Sequence, residues 1–248
     1  VLFRSLQAIM KEEKYYDKLA FAGDMVDYGT APSKVIKWFQ KADHAYIVQG
    51  NHDQHAVNVA REMKTVCVPD KQYKWIHFNL DQMSKADVDY LMALPQTLYF
   101  IADGWAYLMQ HQYKWGSYDT IESRSQFIEF WKANTPQSYW EIPRKRVIFG
   151  HSHRQCIHVL DEFMEWINPG SISYRRPDDP EKNAQYMVIE NGTVVMKRVR
   201  YDRHYLYEEA IQQWREGRMM ETEIQDFLFF FGNAANIREP LPLRNEAP

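Results

Sequence analysis

The sequence predicts an α/β sandwich, two sheets with helices outside. Two observations carry this reading. The first half alternates short apolar runs with segments of helical spacing, the pattern of βαβ units and a parallel strand pair. The second half is strand-rich and punctuated by hairpin turns. The composition allows it: 248 residues, 45% of them hydrophobic, with 8 Trp, 16 Tyr and 13 Phe, can build a sizeable core.

Taken in order, residues 4–14 read as a helix and "KLAFAG" (18–23) as a short buried strand. "APSKVIKWFQKA" (31–42) reads as a helix with Pro32 near its start, "AYIVQG" (45–50) as a second buried strand, and 53–63 as a helix. "KQYKWIHFNLD" and "KADVDYLMALP" have helical spacing; Ser84 with Asp87 resembles a capping box, and Pro95 ends the second helix. "QTLYFI" and "WAYLMQH" flank Asp103-Gly104, a hairpin signal. A helix at 122–134 and a loop at 136–143 lead to strands at 146–150, 156–161 and 163–168. "AQYMVIE" and "TVVMKRVR" flank Asn191-Gly192, a second hairpin signature, and 205–216 and 221–231 read as helices before a loose end. Residues 1–203 are expected to form one domain, with a helical insert at about 69–94 that packs on a sheet edge or caps the site. Residues 204–248 form a helical extension.

The bulk numbers exclude several classes. A net charge of −3 is no footprint for nucleic acid. The longest conspicuous apolar run, "FLFFF" at 227–231, is far too short to span a membrane. Cys67 and Cys156 form no disulfide framework, which predicts a reducing compartment and a cytoplasmic location. The chain opens "VLFRS", which reads as a cloning scar or the edge of a truncated gene.

Polar residues follow directly after four buried strands. "FAGDMVDYG" supplies Asp24 and Asp27, "VQGNHDQ" supplies Asn51, His52 and Asp53, "LMQHQ" supplies His111, and "IFGHSHR" supplies His151 and His153. Singly, each reads as a turn or a satisfied polar side chain. Together they place Asp, Asn and His beyond the carboxyl ends of strands, where open α/β sheets bind ligands. A donor set of oxygens and imidazoles without thiolate fits Zn, Mn or Fe in hydrolytic chemistry. A bridging carboxylate would suit two ions about 3.5–4 Å apart, the arrangement that serves in-line displacement at phosphorus.

These four ordered motifs, "GDMVD", "GNHD", the His of "MQHQ" and "GHSH", resemble the calcineurin-like metallophosphoesterases over roughly residues 5–200. The resemblance implies a four-layer α/β/β/α sandwich of two mixed sheets flanked by helices, and a pair of divalent ions (Mn, Fe, Zn or Ni). By carry-over Asp24 bridges the metals, Asn51, His111 and His151 complete one, and His153 joins the other. His52 protonates the leaving group or stabilises the phosphoryl charge, and Asp27 orients His52. The family's D-x-H motif, expected just before the helix near Arg4, is missing; either the natural protein is longer or the metal held by His153 is bound badly. Gln112 stands where many small bacterial relatives have Gly.

Tyr28 replaces the Arg typical of phosphoprotein phosphatases, and "NPGSIS" is similar to the small bacterial phosphodiesterases and dinucleoside-polyphosphate hydrolases. The expected substrate is therefore a small phosphate ester of phosphodiester or nucleotide type. Arg154, Arg175 and Arg176 are candidate phosphate clamps, weighed against an ordinary solvated surface. The alternative is a non-catalytic interaction module on the same fold.

Overall fold

A computed structural model describes residues 2–62, 68–69, 72–173, 176, 179, 181–232 and 241. Helix α1 (Phe3–Glu12) buries Leu6 and Ile9, one turn apart, and leads to strand β1 (Leu19–Phe21). Helix α2 (Pro32–Lys41) begins on its proline, which needs no backbone donor there, and buries Val35, Ile36 and Phe39. It crosses to β2 (Ala45–Ile47), which pairs in parallel with β1. Helix α3 (Asn51–Glu62) follows at once, then α4 (Trp75–Gln82) and α5 (Lys85–Ala93). The Ser84 capping box forms as the sequence predicts: Ser84 Oγ accepts from the Asp87 N–H at 3.2 Å, and the Ser84 N–H donates to Asp87 Oδ2 at 2.8 Å.

The hairpin β3 (Thr97–Ala102) and β4 (Trp105–Gln110) turns at Asp103-Gly104, both with positive φ, as Asp-Gly predicts. After α6 (Arg124–Asn134) come β5 (Lys145–Ile148), β6 (Cys156–Asp161) and β7 (Met164–Asn168). These strands form one five-stranded mixed sheet in the order β3-β4-β5-β7-β6, parallel at its centre and antiparallel at both edges. The hairpin β8 (Ala184–Glu190) and β9 (Thr193–Val199) turns at Asn191-Gly192, again with positive φ. Helices α7 (His204–Arg215) and α8 (Glu221–Phe227) complete the described chain, with a wider turn over Leu228–Gly232.

The central sheet is buried on both faces. Ala106, Leu108, Val147 and Trp166 pack toward Phe127 and Trp131 of α6. Their alternates Tyr107, Met109, Ile148 and Ile167 pack toward Val48, Tyr46, Met187 and Ile189, on the layer of the β1–β2 and β8–β9 pairs. Helices α1, α2, α3 and α5 cover the other side of β1 and β2 through Leu6, Ile36, Phe39, Val57 and Leu91. Four layers result, α/β/β/α, in line with the mixed α/β class the sequence predicts. The layer of short strands is two separate pairs, and residues of both β1 and β8 line a cavity of about 1020 Å³.

The buried Arg146 guanidinium ties the hairpin to the central sheet. It donates to Glu165 Oε1 (2.5 Å), Tyr107 Oη (2.6 Å) and the Gly192 carbonyl (3.0 Å), so each nitrogen of this costly buried cation has an acceptor.

Element boundaries differ from expectation in ways that matter. The strands stop at Phe21 and Ile47, short of 23 and 50, because the next residues turn away to carry the polar motifs. Helix α3 starts at Asn51, not 53, since the Asp53 carboxylate accepts from the Gly50 N–H at 2.9 Å and holds the chain in its first turn. The 221–231 periodicity is broken at Leu228 by the wider turn. In the 69–94 region, where packing on a sheet edge or capping of the site is expected, α4 and α5 pack on other helices: Trp75 of α4 stacks on Phe227 (centroids 4.3 Å apart), its Nε1 donates to the Glu223 carbonyl at 3.0 Å, and Leu91 of α5 shares a core with Ile36 and Val57.

Trp75 is 1% exposed and is the chief link between α4 and the C-terminal helices. Trp75→Ala is expected to cost about 3–5 kcal/mol. Urea unfolding should show that loss, with amide exchange accelerated most over residues 204–232.

Candidate metal centre

Loop 22–30, after β1, runs through unusual backbone. Gly23, Asp24 and Asp27 have φ of 93°, 63° and 85°. Left-handed backbone is costly for an aspartate and persists only when its surroundings dictate it. The dictating group is the fully buried Asp53 carboxylate. It accepts from the N–H groups of Asp24 (2.9 Å), Met25 (2.7 Å), Val26 (3.1 Å) and Gly50 (2.9 Å). Burial first, then the neighbouring Asp24 charge, pushes the Asp53 carboxyl up to about 6, while the N–H donors oppose the shift.

Close backbone approach makes two glycines obligatory. A Cβ on Gly23 would lie 2.7 Å from Gly50 N and 2.8 Å from His111 Nδ1, and one on Gly50 would overlap the Asp24 carboxylate. Asp24 also accepts from the His52 N–H, at the start of α3, through Oδ1 at 3.0 Å.

His111, 2% exposed, follows β4. Its Nδ1 donates to the Ala22 carbonyl at 2.5 Å, which fixes the ring and turns Nε2 inward. Nε2 faces Asn51 Oδ1 at 2.9 Å and Asp24 Oδ2 at 3.2 Å. Asn51 Oδ1 is met from the other side by His151 Nδ1 at 2.9 Å. Ligand atoms of Asp24, His111 and His151 lie within 4.8 Å of one another. Carboxylate, amide oxygen and imidazole nitrogens thus converge with their lone pairs inward, a donor set that fits a divalent cation of the Zn, Mn or Fe kind. The same convergence explains the electrostatics. Burial pushes Asp24 up, but the His111 ring beside it overrides this and holds Asp24 well below the carboxylate range. Burial likewise disfavours a charged His111, and Asp24 outweighs it and raises the ring's pKa.

His151 and His153 come from the loop after β5. The N–H groups of Gly150 and His151 both donate to the His111 carbonyl, at 2.9 and 3.0 Å, locking this loop to the end of β4. His153 has φ 54°, and its N–H donates to the Gly150 carbonyl at 2.9 Å. It lies outside the three-residue group, in surroundings where burial drives its pKa down to about 3, which keeps the ring neutral.

His52 Nδ1 lies 2.6 Å from Asp27 Oδ2, and His55 Nδ1 lies 3.0 Å from the same oxygen. Burial opposes protonation of His52, but the bond to Asp27 outweighs it and raises the ring's pKa above the ordinary 6.5. Of the candidate clamps, Arg176 Nη1 donates to the Ser152 carbonyl at 3.4 Å and lines the cavity, Arg154 is exposed, and Arg175 lies outside the described residues. Gln112 is buried beside His111.

Three residues escape the sequence reading. Asp53 reads there as one more acid of the motif, whereas it is the loop's backbone anchor. His55 shares the Asp27 carboxylate. Asn168 donates through Nδ2 to the Gly150 carbonyl (3.1 Å) and Ser152 Oγ (3.0 Å), and its Oδ1 accepts from the Gly170 N–H (2.9 Å), joining "GHSH" to "NPGS". An Asn at a strand end before Pro-Gly is a signal for such a role, though not for its partners.

A family model described as the calcineurin-like phosphoesterase superfamily domain matches residues 3–192. The chain belongs to this superfamily. The solved metallophosphoesterase from Sphaerobacter thermophilus is similar to it with a TM-score of 0.63 at 19% identity, covering 94% of this chain and 95% of that one. A hypothetical protein from Pyrococcus horikoshii OT3 is similar with a TM-score of 0.63 at 16% identity, covering 93% and 94%. At these identities the likeness speaks for the calcineurin-like fold alone. No curated protein matches the chain. Among the described residues, no helix of this phosphoesterase-family chain is long and apolar enough to cross a membrane.

Two outcomes follow from the loop geometry. Asp53→Asn replaces one of two accepting oxygens by an NH₂ that faces backbone donors, and is expected to lower stability by about 2–3 kcal/mol in urea unfolding. In the metal-free protein, Asp27 favours protonated His52. The His52 ring should therefore titrate above pH 6.5 by NMR and move down in Asp27→Asn.

Proposed function

We propose that the chain is a metal-dependent phosphoesterase that hydrolyses small phosphate esters, of phosphodiester or nucleotide type, at a two-ion centre. The observation that carries this reading is the convergence of Asp24, Asn51, His111 and His151 with their lone pairs inward. In this reading these four hold one ion, Asp24 is shared with a second, and His153, kept neutral by burial, joins the second. Divalent ions on such a donor set supply Lewis-acid polarisation of water and of phosphoryl oxygens.

The protein's own groups do the rest. His52 gives its Nδ1 proton to the hydrogen bond with Asp27, which fixes the ring's tautomer and leaves Nε2 to carry the proton that passes to the leaving-group oxygen. The raised pKa of His52 keeps that proton available near neutral pH. Asp27 holds His52 and His55 through one oxygen, so it acts as the positioning group. Arg176, on the cavity wall, is placed to meet a phosphate oxygen. A cytoplasmic setting is part of the same proposal, supported by the scarcity of cysteine.

Hydrolysis of bis(p-nitrophenyl) phosphate with added Mn²⁺ tests the reading. Wild type should turn over, EDTA should abolish the rate, and His52→Ala should lower kcat about 100-fold with an unchanged unfolding midpoint. An unchanged rate in His52→Ala removes the assigned acid, and absence of any metal-dependent turnover removes the phosphoesterase reading.

A further inference from the structure

The segment between β4 and α6 exposes two large aromatic side chains, Trp115 and Tyr118, and the second lies against the candidate centre. Tyr118 is 71% exposed, yet its ring lies flat on His151, with centroids 4.5 Å apart and planes 23° from parallel. One face therefore covers an imidazole of the candidate centre, and the opposite face is open. Tyr118 lines the same cavity as Asp24, His52 and His151.

This placement is built, not incidental. Lys114 pairs with Asp119 at 3.2 Å, the Asp119 N–H donates to Ser117 Oγ at 3.0 Å, and the Ser117 N–H donates to the Lys114 carbonyl at 3.1 Å. Gly116, with φ 74°, makes the tight turn that these bonds close. Three residues on, Ile121 is fully buried against α6 and its carbonyl accepts from Trp166 Nε1 at 2.9 Å. The tyrosine is thus carried on a hydrogen-bonded turn anchored to the central core. A second aromatic stands at the other end of the cluster. Tyr28 meets His52 edge-on at 5.5 Å and is backed by Phe231 at 5.5 Å.

We propose that Tyr118 is a specificity residue whose open face stacks on a planar aromatic ring of the phosphate ester, so that the site selects aryl or nucleoside esters over aliphatic ones. The inference rests on the phosphoesterase reading for its substrate class. The physical basis is that every aromatic ring offers a π face, and stacking on a fixed side chain ring is worth roughly fivefold to a hundredfold in affinity. An ethyl group has no such face.

The test holds p-nitrophenol constant as leaving group and varies the second ester among ethyl, phenyl and thymidine-5′. With Mn²⁺ present, wild type should show a KM about tenfold lower for the phenyl or thymidine ester than for the ethyl ester. Tyr118→Leu should erase that preference and Tyr118→Phe should keep it, because stacking needs the ring and not the hydroxyl. A thymidine ester favoured over phenyl assigns the ring to a nucleobase, and the reverse assigns it to a simple aryl group. The same wild-type preference in Tyr118→Leu overturns the proposal. Calorimetric binding of phenylphosphonate against ethylphosphonate, in the presence of Mn²⁺, decides the matter separately from turnover. A phenyl preference lost in Tyr118→Leu upholds the stack even if no ester is hydrolysed, which would sink the phosphoesterase reading alone. Equal affinities in wild type overturn the stack.

Discussion

The constraint on which the rest of the site depends is one buried carboxylate held by four backbone N–H groups. Asp53 draws the N–H groups of residues 24–26 and of Gly50 onto its two oxygens. That arrangement forces Asp24 into left-handed backbone and brings two loops, from β1 and β2, within van der Waals contact. Remove the anchor and loop 22–30 has no reason to keep Asp24 near His111. A charge that would be expensive alone in the interior is tolerable here because each oxygen is hydrogen-bonded. Its raised pKa records the remaining tension with Asp24, a second carboxylate that a cation would relieve.

Much of the fold was legible because the periodicities are clean. The Val35–Ile36–Phe39 stripe, the Ser84–Asp87 box and the Asp103-Gly104 and Asn191-Gly192 turns are local devices, decided by residues a few positions apart. Asp24, His111 and His151 were also legible, because polar residues directly after apolar runs stand out wherever strands end. What could not be read is whatever depends on the far side of a contact. Asp53 looks like any acid in a motif until the loop it binds is in place. Asn168, His55 and Tyr118 take their meaning from partners 16 to 33 residues away, across loop closures that no periodicity encodes. The end of α8 escaped for a local reason: the phenylalanines at 229–231 continue an apolar pattern that the backbone follows with a wider turn.

Electrostatically the rim divides by role. At the cluster His153 and His151 are both held below their ordinary pKa chiefly by burial, whereas for His111 the adjacent Asp24 charge outweighs burial and raises the ring's pKa. Groups at the His52 end are arranged to keep protons, since one Asp27 oxygen serves two imidazoles and raises both. Rings that burial keeps neutral, His151 and His153, thus stand a few side chains from rings that Asp27 helps to keep protonated, His52 and His55.

The donor cluster on the wall of the large cavity draws on two layers of the fold. Asp24 and Asn51 ride on the β1–β2 pair and its helices, while His111 and His151 ride on the five-stranded sheet. The donor cluster therefore sits at the rim of the junction between two packed layers, where the His111 bond to Ala22 and the contacts of Asn51 add to the core that joins them. Whatever occupies that junction acts as a rivet, and its grip is felt as rigidity on both sides at once.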